Sequence, residues 1–91
     1  MRVAVTEKPQ LTYPCAYPIK VVGYASEAFD AWVVATVRQH APDLGEGAVQ
    51  TRESRESRYI AVTVTINAQS PAHIEAIFHA LREDPRVIMV L

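Results

Sequence analysis

The sequence has one cysteine, three glycines and no apolar run near the roughly 20 residues that span a bilayer. The single thiol, Cys15, excludes an intrachain disulfide and makes a reducing compartment the default. Gly23, Gly45 and Gly47 lack the spacing and context of a phosphate-cradling loop. Charge of one sign is not in excess: nine basic and ten acidic residues leave a net −1. No overall basic field draws in nucleic acid or an anionic membrane. The opening Met1–Glu7 places an acid early and has no long apolar core, so it does not read as a signal peptide. These absences point to a soluble cytoplasmic protein. At 91 residues the chain makes one domain with a thin core.

The clearest pattern present is Tyr59 to Asn67. Ile60, Val62, Val64 and Ile66 alternate with Tyr59, Ala61, Thr63, Thr65 and Asn67, which is a strand with one strongly apolar face. Pro18 to Tyr24 reads as an earlier strand, with Ile19, Val21 and Gly23 on one face and Lys20, Val22 and Tyr24 on the other. Ser26 is a natural cap for a following helix, whose stripe is Phe29, Trp32, Val33, Thr36, Val37 and His40. Pro42 ends it. Ala48 to Arg55 is a more polar strand suited to a sheet edge. Ser70-Pro71 opens a second helix with the stripe Ile74, Ile77, Phe78 and Leu81, and Asp84-Pro85 closes it before a last strand, Arg86 to Leu91. Residues 1–16, with Pro9 and Pro14, read as an irregular N-terminal arm in which Val3 to Val5 could pair briefly; residues 17–91 read as the folded domain.

Strand, helix, strand, strand, helix, strand is the βαββαβ order of an α+β ferredoxin-like two-layer sandwich. Right-handed crossovers then give an antiparallel sheet of order 4-1-3-2 with both helices on one face. In that arrangement Tyr24 stands opposite Tyr59, Val22 by Ala61 and Lys20 by Thr63.

The run Tyr13-Pro14-Cys15-Ala16-Tyr17-Pro18-Ile19-Lys20-Val21-Val22-Gly23 resembles the opening of the YbeD-like family of small bacterial proteins of unknown function. So do Arg38-Gln39-His40-Ala41-Pro42, the strand Ala61 to Ile66, and Val87-Ile88-Met89-Val90-Leu91. Order and spacing carry the resemblance over about residues 11 to 91. It implies a ferredoxin-like fold similar to the regulatory ACT domains that sense amino acids. It implies no activity and no catalytic residues. The turn Arg52-Glu53-Ser54-Arg55-Glu56-Ser57 departs from the Ser/Lys/Gly-rich turn associated with that family.

Catalytic and metal chemistries find few footholds. His73 and His79 are six apart, about 240° around a helix, so they cannot clamp one metal, and His40 is on the other helix. Cys15 has no base placed near it and no Cys-x-x-Cys partner. The acid pairs Glu53/Glu56 and Glu83/Asp84 read as solvated turn and helix-end charges. We therefore expect no enzyme, no metal and no cofactor. Arg52, Arg55 and Arg58 beside two tyrosines suggest a weak RNA-stacking platform, but Ala61, Thr63 and Thr65 stand where such domains carry aromatics, so nucleic acid is a disfavoured partner.

Two surfaces remain. The turn at Gly23, Tyr24 and Ser26 offers helix amides to a small carboxylate. The sheet face away from the helices, with Lys20, Val22, Tyr59, Ala61, Ile88 and Val90, offers an apolar patch beside a last strand that is apolar on both sides. The sequence thus reads as a small regulatory or binding module that senses a carboxylate metabolite as a homodimer. The alternative is a protein-interaction adaptor that uses the open sheet face.

Overall fold

The computed structural model describes residues 11–54 and 56–91. Its elements run β1 (Cys15–Tyr24), α1 (Phe29–Arg38), a short 3-10 turn (Glu46–Ala48), β2 (Val49–Glu53), β3 (Tyr59–Ala68), α2 (Pro71–Arg82) and β4 (Val87–Val90). The four strands form one antiparallel sheet in the order β2-β3-β1-β4, which is the predicted 4-1-3-2 read from its other end. Arm positions 1–10, Val3 to Val5 among them, and Arg55 lie outside the described residues. β1 begins at Cys15, three residues before the predicted Pro18.

The spine of the sheet is the ten-residue pairing of β1 with β3, from Cys15 opposite Ala68 to Tyr24 opposite Tyr59. β-branched residues fill both strands and suit the pleated surface. Because side chains alternate, Ile19 and Val21 share a face with Ile60, Val62, Val64 and Ile66, and all six are buried. Phe29, Val33 and Val37 of α1 and Ile74, Ile77 and Leu81 of α2 close over them, each buried. Ala41, Leu44, Ala68 and Val90 complete the core. Trp32 and Phe78, predicted within it, sit half-buried at its rim.

The two helices begin differently. Ser70 caps α2 as its sequence predicts: its hydroxyl accepts from the His73 N–H at 3.1 Å, and Pro71 takes the first helical position. Ser26 does not cap α1. That helix starts three residues later, behind Ala28 in the left-handed region (φ 65°), with no side-chain cap. The delay follows from backbone pairing. The Tyr24 and Ala25 N–H groups donate to the Arg86 and Arg58 carbonyls at 3.0 and 2.9 Å, which holds the chain on the sheet past its expected exit. Gly23 supplies the space that Phe29 needs on the way down. A Cβ there would stand 2.8 Å from Phe29 Cε1 and from the Arg86 carbonyl oxygen.

Candidate functional site

Both helices cover one side of the sheet, so among the described residues the other side is open. Its side chains follow from the register. Across the strands, Arg52 of β2 lies opposite Ala61 of β3, Ala61 opposite Val22 of β1, and Val22 opposite Met89 of β4. The next row is Gln50, Thr63 and Lys20, continued by Leu91, whose backbone exchanges hydrogen bonds with Lys20 at 2.8 and 3.1 Å. At one end Tyr24 and Tyr59 form a tilted pair with ring centroids 6.0 Å apart. The predicted opposition of Tyr24 and Tyr59, of Val22 and Ala61, and of Lys20 and Thr63 is therefore present.

β4 corrects one part of the sequence reading. Strict alternation puts Ile88 and Val90 together on the open side, but the register shifts between Val22 and Gly23, so that Met89 faces Val22 while Val87 faces Gly23. This irregularity breaks the period of two. Val90, opposite the buried Val21, turns toward the helices and is only 7% exposed, so it does not belong to the open surface. Ile88 remains exposed at 41%, and Met89 and Leu91 join it at 47% and 60%. Sequence reasoning missed the last two as site residues because nothing in a four-residue strand announces a bulge.

Among the described residues six large apolar side chains are exposed. Five of them, Tyr24, Tyr59, Ile88, Met89 and Leu91, belong to the open face or to the β4 border. The polar groups beside them are Lys20, Gln50, Thr63 and Arg52, with Thr65 and Asn67 further along β3. None of them forms a nucleophile–base pair, and among the described residues no three His, Cys, Asp or Glu side chains stand close enough to hold a metal.

The turn at Gly23, Tyr24 and Ser26 is built for packing. Its Tyr24 and Ala25 amides are taken by backbone carbonyls, and the Phe29 N–H donates to the Ser26 carbonyl at 3.3 Å. The nearest cation is Arg86. Its guanidinium stands 5.3 Å from the centroids of both Phe29 and Trp32, and its Nη1 donates to the Ser26 hydroxyl at 3.3 Å. Its Nε and Nη2 grip the two oxygens of Asp84 at 3.0 and 2.9 Å. These side-chain bonds, and then the Arg86 N–H, hold the Asp84 carboxyl below the usual carboxylate range. Arg86 is therefore a strap between β4 and α1, with its charge already balanced.

The two described arginines near the β2–β3 turn, Arg52 and Arg58, do not converge either. Arg58 pairs with Glu56 at 3.2 Å in solvent, while Arg52 stays on the open face. The Ser54 hydroxyl accepts from the Arg58 and Tyr59 N–H groups and so closes the turn. The histidines also separate: His79 meets Glu83 at 3.3 Å in solvent, while His73 bridges the two helices. A shallow groove of 660 Å³ runs between the start of β1 and α2, past Tyr17 and Phe78. Its arginine, Arg82, is stacked on Phe78 at 5.3 Å.

Comparison with known proteins places this architecture. Residues 8–91 match the family model described as "Protein of unknown function (DUF493)". The chain belongs to the DUF493 family. A UPF0250 protein of Azotobacter vinelandii is 42% identical over 86 residues, covering 93% of this chain and 94% of that protein. One of Nitrosomonas europaea is 34% identical over 87 residues, covering 96% of this chain and all of that one. The YbeD-like resemblance in the sequence is a resemblance to this family. The solution structure of protein HP0495 from H. pylori superposes with a TM-score of 0.73, covering 100% of this chain and 96% of that one at 13% identity. This DUF493 chain thus has the ferredoxin-like fold, which it shares with that distant structural neighbour. Among the described residues no helix is long and apolar enough to cross a membrane.

Proposed function

We propose that this DUF493 protein is a non-enzymatic interaction module whose working surface is the open face of its sheet, and that the face takes the apolar surface of a protein partner. One observation carries this reading. Among the described residues, five of the six exposed large apolar side chains gather on that face and its β4 border, while no large apolar side chain of either helix is exposed. Contiguous apolar area on a small domain marks an interface. Lys20, Gln50, Thr63 and Arg52 border it along the next row and on the β2 side, as polar residues border protein interfaces generally. A small carboxylate has less to hold it: the Tyr24 and Ala25 amides are engaged, and Arg86 is balanced by Asp84.

The test uses the purified protein and a partner reconstituted from purified components. Val22→Asp and Ala61→Glu, on the open face, should abolish binding, and Glu75→Gln, on the outer surface of α2, should leave it unchanged. Binding lost only with the α2 variant would contradict the reading. So would a clear rise in melting temperature with an amino acid from a panel of free amino acids and small carboxylates.

A further inference from the structure

The two edges of the sheet are unlike. The β2 edge is polar, with Gln50, Thr51, Arg52 and Glu53 all exposed, which blunts pairing with another chain. The β4 edge carries no such protection: Ile88 and Met89 are exposed in the strand and Leu91 follows. Hydrogen-bond alternation shows which backbone groups are free. Lys20 and Leu91 exchange both of their bonds at 3.1 and 2.8 Å, so the neighbouring pair, Val21 and Val90, exchanges none. The Val90 N–H and C=O therefore point away from β1. Among the described residues no strand lies on that side.

From this geometry we infer that β4 pairs with β4 of a second copy of the chain, antiparallel about a two-fold axis. The inference deepens the proposed function by assigning an occupant to the border of the open face. Symmetry selects β4 of the second copy over its β2. An apolar edge meeting its own copy is an isologous contact and closes at two subunits, whereas β4 on a partner's β2 would be head-to-tail, open-ended, and opposed to a charged edge. The pairing satisfies the Val90 N–H and C=O and buries Ile88, Met89 and Leu91. It joins two open faces into one surface across eight strands. The patch is small, so the dimer is weak and dependent on concentration.

Light scattering and sedimentation of the full chain from low to high micromolar concentration test this. The expected result is a monomer–dimer equilibrium that Ile88→Lys and Met89→Lys each shift at least tenfold toward monomer, with unchanged far-ultraviolet circular dichroism. Arg52→Ala, on the opposite edge, should not move it. If either lysine variant unfolds, the backbone readout decides: the Val90 amide of the wild-type chain should exchange more slowly as concentration rises. A monomer throughout overturns the inference, whether the edge is bare or held by residues 1–10. A dimer indifferent to the β4 variants also overturns it. Neither result touches the open-face reading, which the Val22 and Ala61 variants test separately.

Discussion

Gly23 and Phe29 share one space: the Phe29 ring fills the position that a side chain on Gly23 would take. The glycine therefore stands in β1 for packing, at the point where the chain must leave the sheet and return beneath it as α1. Gly23→Ala would force the ring or the Arg86 carbonyl aside at a cost of about 1–3 kcal/mol, the usual range for overpacking. Urea denaturation should show this loss. Phe29→Leu, itself destabilising, should reduce the additional penalty of Gly23→Ala when the two are combined. Gly45, which has nothing within 4 Å of a built Cβ and no positive φ, should accept alanine with no loss.

His73 uses both of its ring nitrogens, one on the chain just before α2 and one on the turn that follows α1. Nδ1 accepts from the Gln69 N–H at 3.0 Å, so it carries no proton, and Nε2–H donates to the His40 carbonyl at 2.6 Å. Nitrogen chemical shifts of the ring should report the Nε2–H tautomer. His73→Ala should cost about 1–3 kcal/mol through the polar groups it leaves unpaired, and His79→Ala, exposed beside Glu83, under about 0.5 kcal/mol.

Asp84 makes stability depend on acid. Its carboxyl is held below the ordinary value by Arg86, so it binds protons less readily folded than unfolded. Its contribution is fully present above the ordinary carboxylate pKa of about 4 and is lost as pH falls through the lower folded value. Asp84→Asn should be less stable than wild type at neutral pH, and the difference should shrink as the solution is acidified below about pH 4. Denaturation midpoints across that range check this.

Tyr24 and Tyr59 are paired yet exposed, at 56% and 43%. Replacing either with alanine should cost no more than about 1.5 kcal/mol in stability, the scale of an aromatic pair. The same variants should weaken partner binding well beyond that loss, as truncating an aromatic anchor does. Isothermal titration beside thermal unfolding separates the two effects.

Much of this was legible in the chain because it rests on period. Alternation in Tyr59 to Asn67 and in Pro18 to Tyr24 fixed which residues share a face, and parity alone placed Tyr24 opposite Tyr59. The Ser70-Pro71 helix start was legible because its cap is local. What escaped depends on contacts distant in sequence. Ser26 lost its capping role to pairings made by Arg58 and Arg86, more than thirty residues further along the chain. Trp32 stays at the rim, beneath the Arg86 guanidinium, a partner that no helical stripe announces. Val90 turned inward because β4 slips by one residue against β1, and a slip of one residue exchanges the faces.

The central claim is that this molecule pairs with a second copy of itself through the β4 border of its sheet. Amide hydrogen exchange at Val90, followed from low to high micromolar concentration, tests it most directly. The account predicts fast exchange when dilute, despite the buried side chain, and marked slowing when concentrated, while the amides of α1 and α2 keep their rates. A Val90 amide that exchanges at one rate throughout, with protection rising instead on the helices, would contradict it.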